Sequence, residues 1–420
     1  MEEFTFLLMM SKYINNEIPK IMNQNLHELK NEFNRELKGN ILDYWINEVY
    51  DRRRRTFYGR ITNDGKKFPE APLSAVFVTR IMWTFAAAYR LNSEAVYKEM
   101  AAEAFRILKE SFWDVENGGI YWSVSPDGAS VDTKKQFYAQ AFYLYALSEY
   151  SLAFGDEESG KLAEEVFDLI EKYALDQKFG GYFEAKTNDW QDTDDQRLSP
   201  NEPNVKKSMN THLHILEAYT NFYRIRKTMK SESQLRRLLN IFMDKIIEPE
   251  TSHFHLFFDA DWTVRSEIDS YGHDIEGSWL LLEAAEVLGD HRMVKDVKKI
   301  ALRMAAVSAA EGLGKEGGMY YEKSAGHLHD QYDWWPQAEA VVGFFNAWQI
   351  SADEKYLHLA SQSWEFIKNH IVDKNNGEWF WGVSSQLVPL ENDKVNGWKA
   401  PYHNGRMCME MFRRIEQEIG

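Results

Sequence analysis

The 420-residue chain has a single cysteine, Cys408, so no disulfide can form within it, and a reducing, cytoplasmic setting is the expectation. Proline is scarce, with 10 residues, and no linker interrupts the chain. Long apolar runs are missing. None approaches the roughly 20 residues that cross a bilayer, and Phe4 to Met10 lacks the basic flank and small-residue cleavage site of a secretory leader. Basic charge is also short: 49 Lys and Arg stand against 65 Asp and Glu, a formal charge of -16 that argues against nucleic acid or an anionic membrane as partner. The one basic run, Arg52 to Arg55, reads as solvated surface.

Aromatic residues, by contrast, are abundant. They make up 14% of the chain, more than packing needs, which points to an aromatic-walled site. Many sit in a unit that recurs six times. The unit's hairpin cores are Phe57-Tyr-Gly59, Gly118-Gly-Ile-Tyr-Trp122, Gly180-Gly-Tyr-Phe183, His253-Phe-His-Leu-Phe257, Gly317-Gly-Met-Tyr-Tyr321 and Gly377-Glu-Trp-Phe-Trp381. With Tyr58, Tyr121, Tyr182, His255, Tyr320 and Trp379 as markers, the steps are 63, 61, 73, 65 and 59 residues. Such a period marks a repeat architecture, because one unit cannot bury its apolar face alone.

Two kinds of helix are predicted between hairpins. Ser93 to Phe112, Asp156 to Ala174, Ser231 to Ile247, His291 to Ala310, Ala352 to Ile371 and residues 12–48 are amphipathic, with a solvent face. Leu73 to Tyr89, Gln136 to Ala153, Met209 to Tyr223, Ile275 to Leu288, Trp335 to Gln349 and Asn404 to Ile415 are apolar all round, as inner helices are. Outer helix, hairpin, inner helix, six times over, predicts an all-α fold, an (α/α)6 barrel with short β-hairpins on the active-site face. Residues 27–420 are expected to form this one catalytic domain, as a monomer or homodimer, with residues 1–26 as a helical extension.

Each hairpin hands the chain to the start of an inner helix, so six helix N-termini meet on one face, where developing negative charge is favoured. The polar residues of those first turns therefore select a site: Arg80; Tyr138 and Gln140; Asn210 and His214; His273 and Glu276; Gln337 and Glu339; His403 and Arg406. A lone His at a helix start is more often a cap or a core residue; three at equivalent places in three repeats carry more weight. His273 and Glu276 share a helical face at i and i+3, so the carboxylate can orient the imidazole or hold a substrate hydroxyl. His403 is expected just before the last inner helix.

Metal binding is not favoured. His212 and His214, two apart on a helix, point about 200° apart. His253 and His255 share a strand face, have no third ligand nearby in sequence and read as hairpin surface; His327 and His329 sit in a loop. Gly312-Leu-Gly-Lys-Glu-Gly317 matches a dinucleotide-binding pattern but lacks the strand-to-helix context that gives it meaning.

Four long segments carry a family resemblance: Asn210-Thr-His-Leu-His214-Ile-Leu-Glu-Ala-Tyr-Thr-Asn221, Ser270-Tyr-Gly-His273-Asp-Ile-Glu276, Trp334-Trp-Pro-Gln-Ala-Glu339 and Trp398-Lys-Ala-Pro-Tyr-His403-Asn-Gly-Arg406. From about residue 27 to the end, the chain resembles the cellobiose 2-epimerases of the N-acylglucosamine 2-epimerase superfamily. It departs from them in its first hairpin, where relatives usually have a glycine pair, and in about 25 extra N-terminal residues. The resemblance implies reversible inversion at C2 of the reducing-end sugar of a β-1,4-linked disaccharide such as cellobiose or lactose, without metal or redox cofactor. It also implies His273 and His403 as the acid/base pair, His214 and Arg80 as groups that polarise O1 and the enediolate, and Glu276 as an orienting group. Tyr138, Asn210, Trp335, Glu339 and Trp398 are the expected substrate contacts. The alternatives are an aldose-ketose isomerase of the same superfamily, a glycoside hydrolase on the same barrel, and a silent sugar- or protein-binding toroid.

Overall fold

Stretches with an apolar stripe form helices that bury that stripe and wet the other side; stretches apolar all round form helices buried on every side. The computed structural model describes residues 24–314 and 316–420. Up to residue 23, the expected helical extension lies outside the described residues. Six outer helices occur among the described residues: α1 (24–36), α3 (Ala95–Ile107), α5 (Glu157–Tyr173), α7 (Met229–Ile241), α9 (His291–Glu311) and α11 (Glu354–Phe366). They alternate with six inner helices: α2 (Ala75–Asn92), α4 (Phe137–Phe154), α6 (Met209–Ile225), α8 (Tyr271–Leu288), α10 (Trp334–Ser351) and α12 (Tyr402–Ile419). Each inner helix packs on the next, and α12 packs back on α2, so the ring closes as the (α/α)6 barrel that the repeats predict. Three inner helices start earlier than their apolar runs do: α8 begins at Tyr271 rather than Ile275, α10 at Trp334 rather than Trp335, and α12 at Tyr402 rather than Asn404. His403 therefore lies in the first turn of α12, not before it.

The two ends of the barrel are built differently. At one end α2, α4, α8 and α10 each turn into the next outer helix through two residues. The first, Ser93, Gly155, Gly289 or Ala352, is left-handed at φ 51, 63, 78 and 54° and stops the inner helix. The second caps the outer one: Asp156, Asp290 and Asp353 accept backbone N–H groups of the first turn. At the other end the outer helices run into the hairpins, α3, α7 and α11 through π-helical turns at Leu108–Phe112, Phe242–Ile246 and Ile367–Ile371. The six hairpins pair equivalent residues: Tyr50 with Phe57, Trp113 with Ile120, Leu175 with Tyr182, Ile247 with Phe254, Leu313 with Met319 and Val372 with Trp379. The strand leading into each inner helix then pairs with the next unit's hairpin, as Lys135–Gln136 does with Ala185–Lys186. Val395 on Ile61 joins the last unit to the first.

The fourth residue of four inner helices reaches back to the hairpin that precedes it. Gln140 accepts from Ile120 N–H at 2.9 Å and donates to its C=O at 2.7 Å, and Gln337 does the same with Met319. His212 Nε2 accepts from Tyr182 N–H at 2.9 Å, and Asp274 from Phe254 N–H at 2.8 Å. Gln140 and Gln337, expected among the first-turn site residues, thus hold the scaffold. His253, expected on the hairpin surface, is buried instead, with Nδ1 2.7 Å from Asp274. Leucine at position 140 would strand both buried groups of Ile120, each worth about 1–3 kcal/mol when unpaired. Gln140→Leu should lose about 2 kcal/mol or more in urea denaturation; a change within 0.5 kcal/mol would show that the contact is dispensable.

Candidate active site

The hairpin end of the ring encloses a cavity of about 480 Å³. Nine of the ten residues singled out from sequence line it: Arg80, Tyr138, Asn210, His214, His273, Glu276, Trp335, Trp398 and His403. They come from all six inner helices and the loop before α12. Glu339 lies behind this wall, buried against His403 and Arg406. Trp335 packs on two imidazoles at once, with ring centroids 4.6 Å from His273 and 5.7 Å from His403. Trp398 packs edge-on against Trp122 and Tyr138. Arg80 donates to Trp398 C=O at 2.7 Å and to the Tyr138 hydroxyl at 3.0 Å, while Asn210 Oδ1 is buried without a protein partner among the described residues.

Behind the wall sits a charge network centred on Arg406. One guanidinium nitrogen donates to Glu276 at 2.6 Å and to Glu339 at 2.7 Å; the other donates to Glu217 and the Tyr402 hydroxyl. Glu339 Oε1 also meets His403 Nδ1 at 2.7 Å. Both Glu339 oxygens accept, Oε1 from Arg406 and Oε2 from Trp279 at 3.0 Å, which places the hydrogen of this contact on His403 Nδ1 and leaves Nε2 as the basic nitrogen. His214 Nδ1 meets Glu217 Oε2 at 3.0 Å in the same way. His273 has a different partner from the one its spacing suggests. Its Nδ1 lies 2.7 Å from Ser270 Oγ, and Glu276 turns instead toward Arg406 and, at 4.0 Å, His403 Nδ1.

Burial governs the protonation of this set. It lowers His273 to about 3, with His214 adding to the effect. It also lowers His403, reinforced by Arg80 and Arg406, and lowers His214 despite the Glu217 carboxylate. All three imidazoles are therefore neutral at pH 7. Burial, with Glu339 nearby, raises Glu276, and burial raises Glu339. Burial would raise Glu217 too, but Arg406, His214 and Tyr402 hold it down to about 2. An acid limb in kcat/KM reports a free-enzyme group. With bases this far below the usual 6.5, kcat/KM should stay level from about pH 7 down to about pH 5, where ordinary imidazoles would cause roughly a 20-fold loss. A fall centred near pH 6.5 would contradict this.

Glu276, Glu339 and His403 also offer three metal-type ligand atoms within 4.8 Å of one another. The donor set fits a metal poorly, since the acidic oxygens are already bonded to Arg406, whose charge stands where a cation would. His212 faces its hairpin, on the other side of α6 from His214, as the helical spacing predicts. His327 and His329 lie on an exposed strand. After α9, Gly314 N–H bonds to Gly318 C=O at 2.8 Å and Gly317 N–H to Gly314 C=O at 3.2 Å, with no strand leading into a helix there among the described residues.

Glu217 and Tyr402 are the site residues that the sequence reading missed. A signal was present: His214 and Glu217 stand at i and i+3, the spacing noticed at His273 and Glu276. Beyond the ten, the cavity wall includes Trp334, Trp381, Asp333 and Glu322, and Leu198, Ser199, Asn201, Glu202 and Pro203 of the loop before α6. No helix among the described residues is long and apolar enough to cross a membrane.

The sequence model described as N-acylglucosamine 2-epimerase matches residues 56–405. The chain is 46% identical over 387 residues to cellobiose 2-epimerase of Bacteroides fragilis, covering 91% of this chain and 98% of that one. It is 36% identical over 391 residues to cellobiose 2-epimerase of Dictyoglomus turgidum, covering 93% and 100%. The solved structure of cellobiose 2-epimerase from Bacillus thermoamylovorans superposes with a TM-score of 0.88 at 34% identity, over 92% of this chain and all of that one.

Proposed function

The chain belongs to the N-acylglucosamine 2-epimerase family and is an isomerase-class enzyme, and from that premise we propose that it inverts C2 of the reducing-end glucose of β-1,4-linked disaccharides. Cellobiose would give glucosyl-mannose, and lactose would give epilactose. A C2 hydrogen becomes acidic only when the ring has opened and the aldehyde can take up charge. Inversion then needs proton removal on one face and delivery on the other. The observation that carries the reading is the placement of His273 and His403, which reach one cavity from α8 and α12, on either side of α10, and pack against the same Trp335. Both are neutral at pH 7, so either can act as base and, once protonated, return a proton as acid.

In this reading one imidazole removes the C2 proton as the enediolate forms, the other, having taken a proton from solvent in the substrate complex, delivers it to the opposite face of C2, and the first returns its proton to solvent. Arg80 is the fixed positive charge in the cavity wall and offsets charge on the enediolate oxygens. Trp335 and Trp398 offer ring faces to the sugar, and Asn210 offers an acceptor to a hydroxyl. Glu339 acts through His403, by fixing its tautomer, rather than by touching sugar. A glycoside hydrolase would need two carboxyls flanking the scissile bond; Glu276 and Glu339 share one guanidinium nitrogen instead.

Cellobiose incubated with the protein in D2O and followed by proton NMR tests this. Deuterium at C2 of glucosyl-mannose is the expected result. Ketose as the dominant first product would move the chain to the aldose-ketose isomerases, and free glucose would move it to the hydrolases. Binding without deuterium uptake would leave only a sugar-binding toroid.

A further inference from the structure

His214 sits beside the cavity in an arrangement that C2 chemistry does not require. Glu217 Oε1 accepts from Arg406 and Tyr402, and Oε2 lies 3.0 Å from His214 Nδ1. An ionised carboxylate only accepts, so Nδ1 bears the hydrogen and Nε2, the nitrogen left for the cavity, presents a lone pair. A neutral His214 is thus an acceptor towards substrate, not the donor to O1 that the family resemblance implies. Across the same guanidinium, 2.6 Å from its other nitrogen, lies Glu276, which lines the cavity.

We propose that His214 and Glu276 open and close the sugar ring, with Glu217 as the positioning residue of His214, and that this confers a separate anomerase activity: exchange of the α and β forms of the reducing sugar without exchange at C2. The proposal rests on reading the cavity as a reducing-sugar site. His214 Nε2 takes the O1 hydroxyl proton and the freed electron pair forms the C1=O1 bond. The C1–O5 bond breaks, and O5 takes a proton from the Glu276 carboxyl. Closure on the other face of C1 reverses both transfers.

The protonation states agree with these roles. Burial and Glu339 raise Glu276, so it can give a proton; burial keeps His214 neutral; and Glu217 remains ionised. The charges formed on opening already have partners, the imidazolium on Glu217 and the Glu276 carboxylate on Arg406. Protonated His214 then becomes a donor to O1 as the C2 proton leaves. The donor expected from the sequence therefore exists, but only after the ring has opened.

Freshly dissolved β-cellobiose, followed by polarimetry with the full-length chain, reads anomer exchange, while proton NMR in D2O reads C2 exchange in parallel. Wild type should speed anomer exchange at least as much as epimerisation. His214→Asn, Glu217→Gln and Glu276→Gln should each lower it about 10²-fold or more, whereas His273→Gln should lose C2 exchange and keep anomer exchange. Loss of both activities together in His273→Gln, or wild-type anomer exchange in Glu217→Gln, overturns the proposal. Nitrogen-15 NMR of the wild-type His214 ring gives a readout independent of any variant's folding: the Nδ1–H form is expected, and the Nε2–H form overturns the assignment. Anomer exchange without C2 exchange in wild type would sink the epimerase reading alone; C2 exchange with buffer-rate anomer exchange would sink this one alone.

Discussion

Glutamine in place of His273 or His403 should lower C2 deuterium incorporation by about 10³-fold or more. Each imidazole is base in one direction and acid in the other, so losing either blocks both directions, and the two losses should not add. Glutamine keeps much of the volume against Trp335, so cellobiose binding should change little, and the deficit should appear in kcat rather than KM. His403 has the more constrained surroundings, because Glu339 fixes its tautomer, whereas His273 has only Ser270 on Nδ1. Glu339→Gln should therefore lower kcat as well, though less than His403→Gln. A variant of either histidine with more than about a tenth of wild-type turnover would remove it from the acid/base pair.

The second large effect is on stability. Arg406 is the shared partner of Glu217, Glu276 and Glu339, all fully buried, and its guanidinium also lies 4.8 Å from Trp279 and 4.4 Å from Tyr402. Arg406→Met keeps apolar bulk but leaves the ionised Glu217 without a counter-charge and Glu276 and Glu339 without their donor, a change that typically costs about 3–5 kcal/mol. Lysine should recover only part of this, since a point charge cannot reach three carboxyls through a planar fork. The deficit should depend on pH. Glu217 is held at about 2, below its unfolded value of 4.5, so its contribution is full above about pH 4.5 and is lost as pH falls through 2. The variant lacks that contribution, so urea denaturation should show the gap narrowing in acid. Equal stability at pH 7 would mean that the acids simply take up protons at no cost.

The residues that line the cavity were readable because they obey local rules. A first-turn position on an inner helix can be counted from a hairpin, and helical spacing separates His212 from His214 without coordinates. Position alone did not separate wall from scaffold. Gln140 and Gln337 stand in first turns like the rest, yet they bond to hairpin backbone. Glu276 stands three residues from His273, yet it pairs with an arginine 130 residues away. Glu339 looked like a substrate contact and proved to be the partner of His403 and Arg406.

The sequence by itself determined the ring. Its hydrophobic periods, its six glycine- and aromatic-rich turns and their near-constant spacing are local properties, and closing six identical problems of burial leaves little choice of fold. It also narrowed the candidates for the site to the first turns of the inner helices and the loop before the last one, because each position is set by its place in its own unit. Only the tertiary structure decided who pairs with whom. His403 with Glu339, and Glu217, Glu276 and Glu339 with Arg406, are choices made across units, where burial removes water as an alternative partner. Those pairings fix which nitrogen of each imidazole carries the proton, and so which chemistry it can perform.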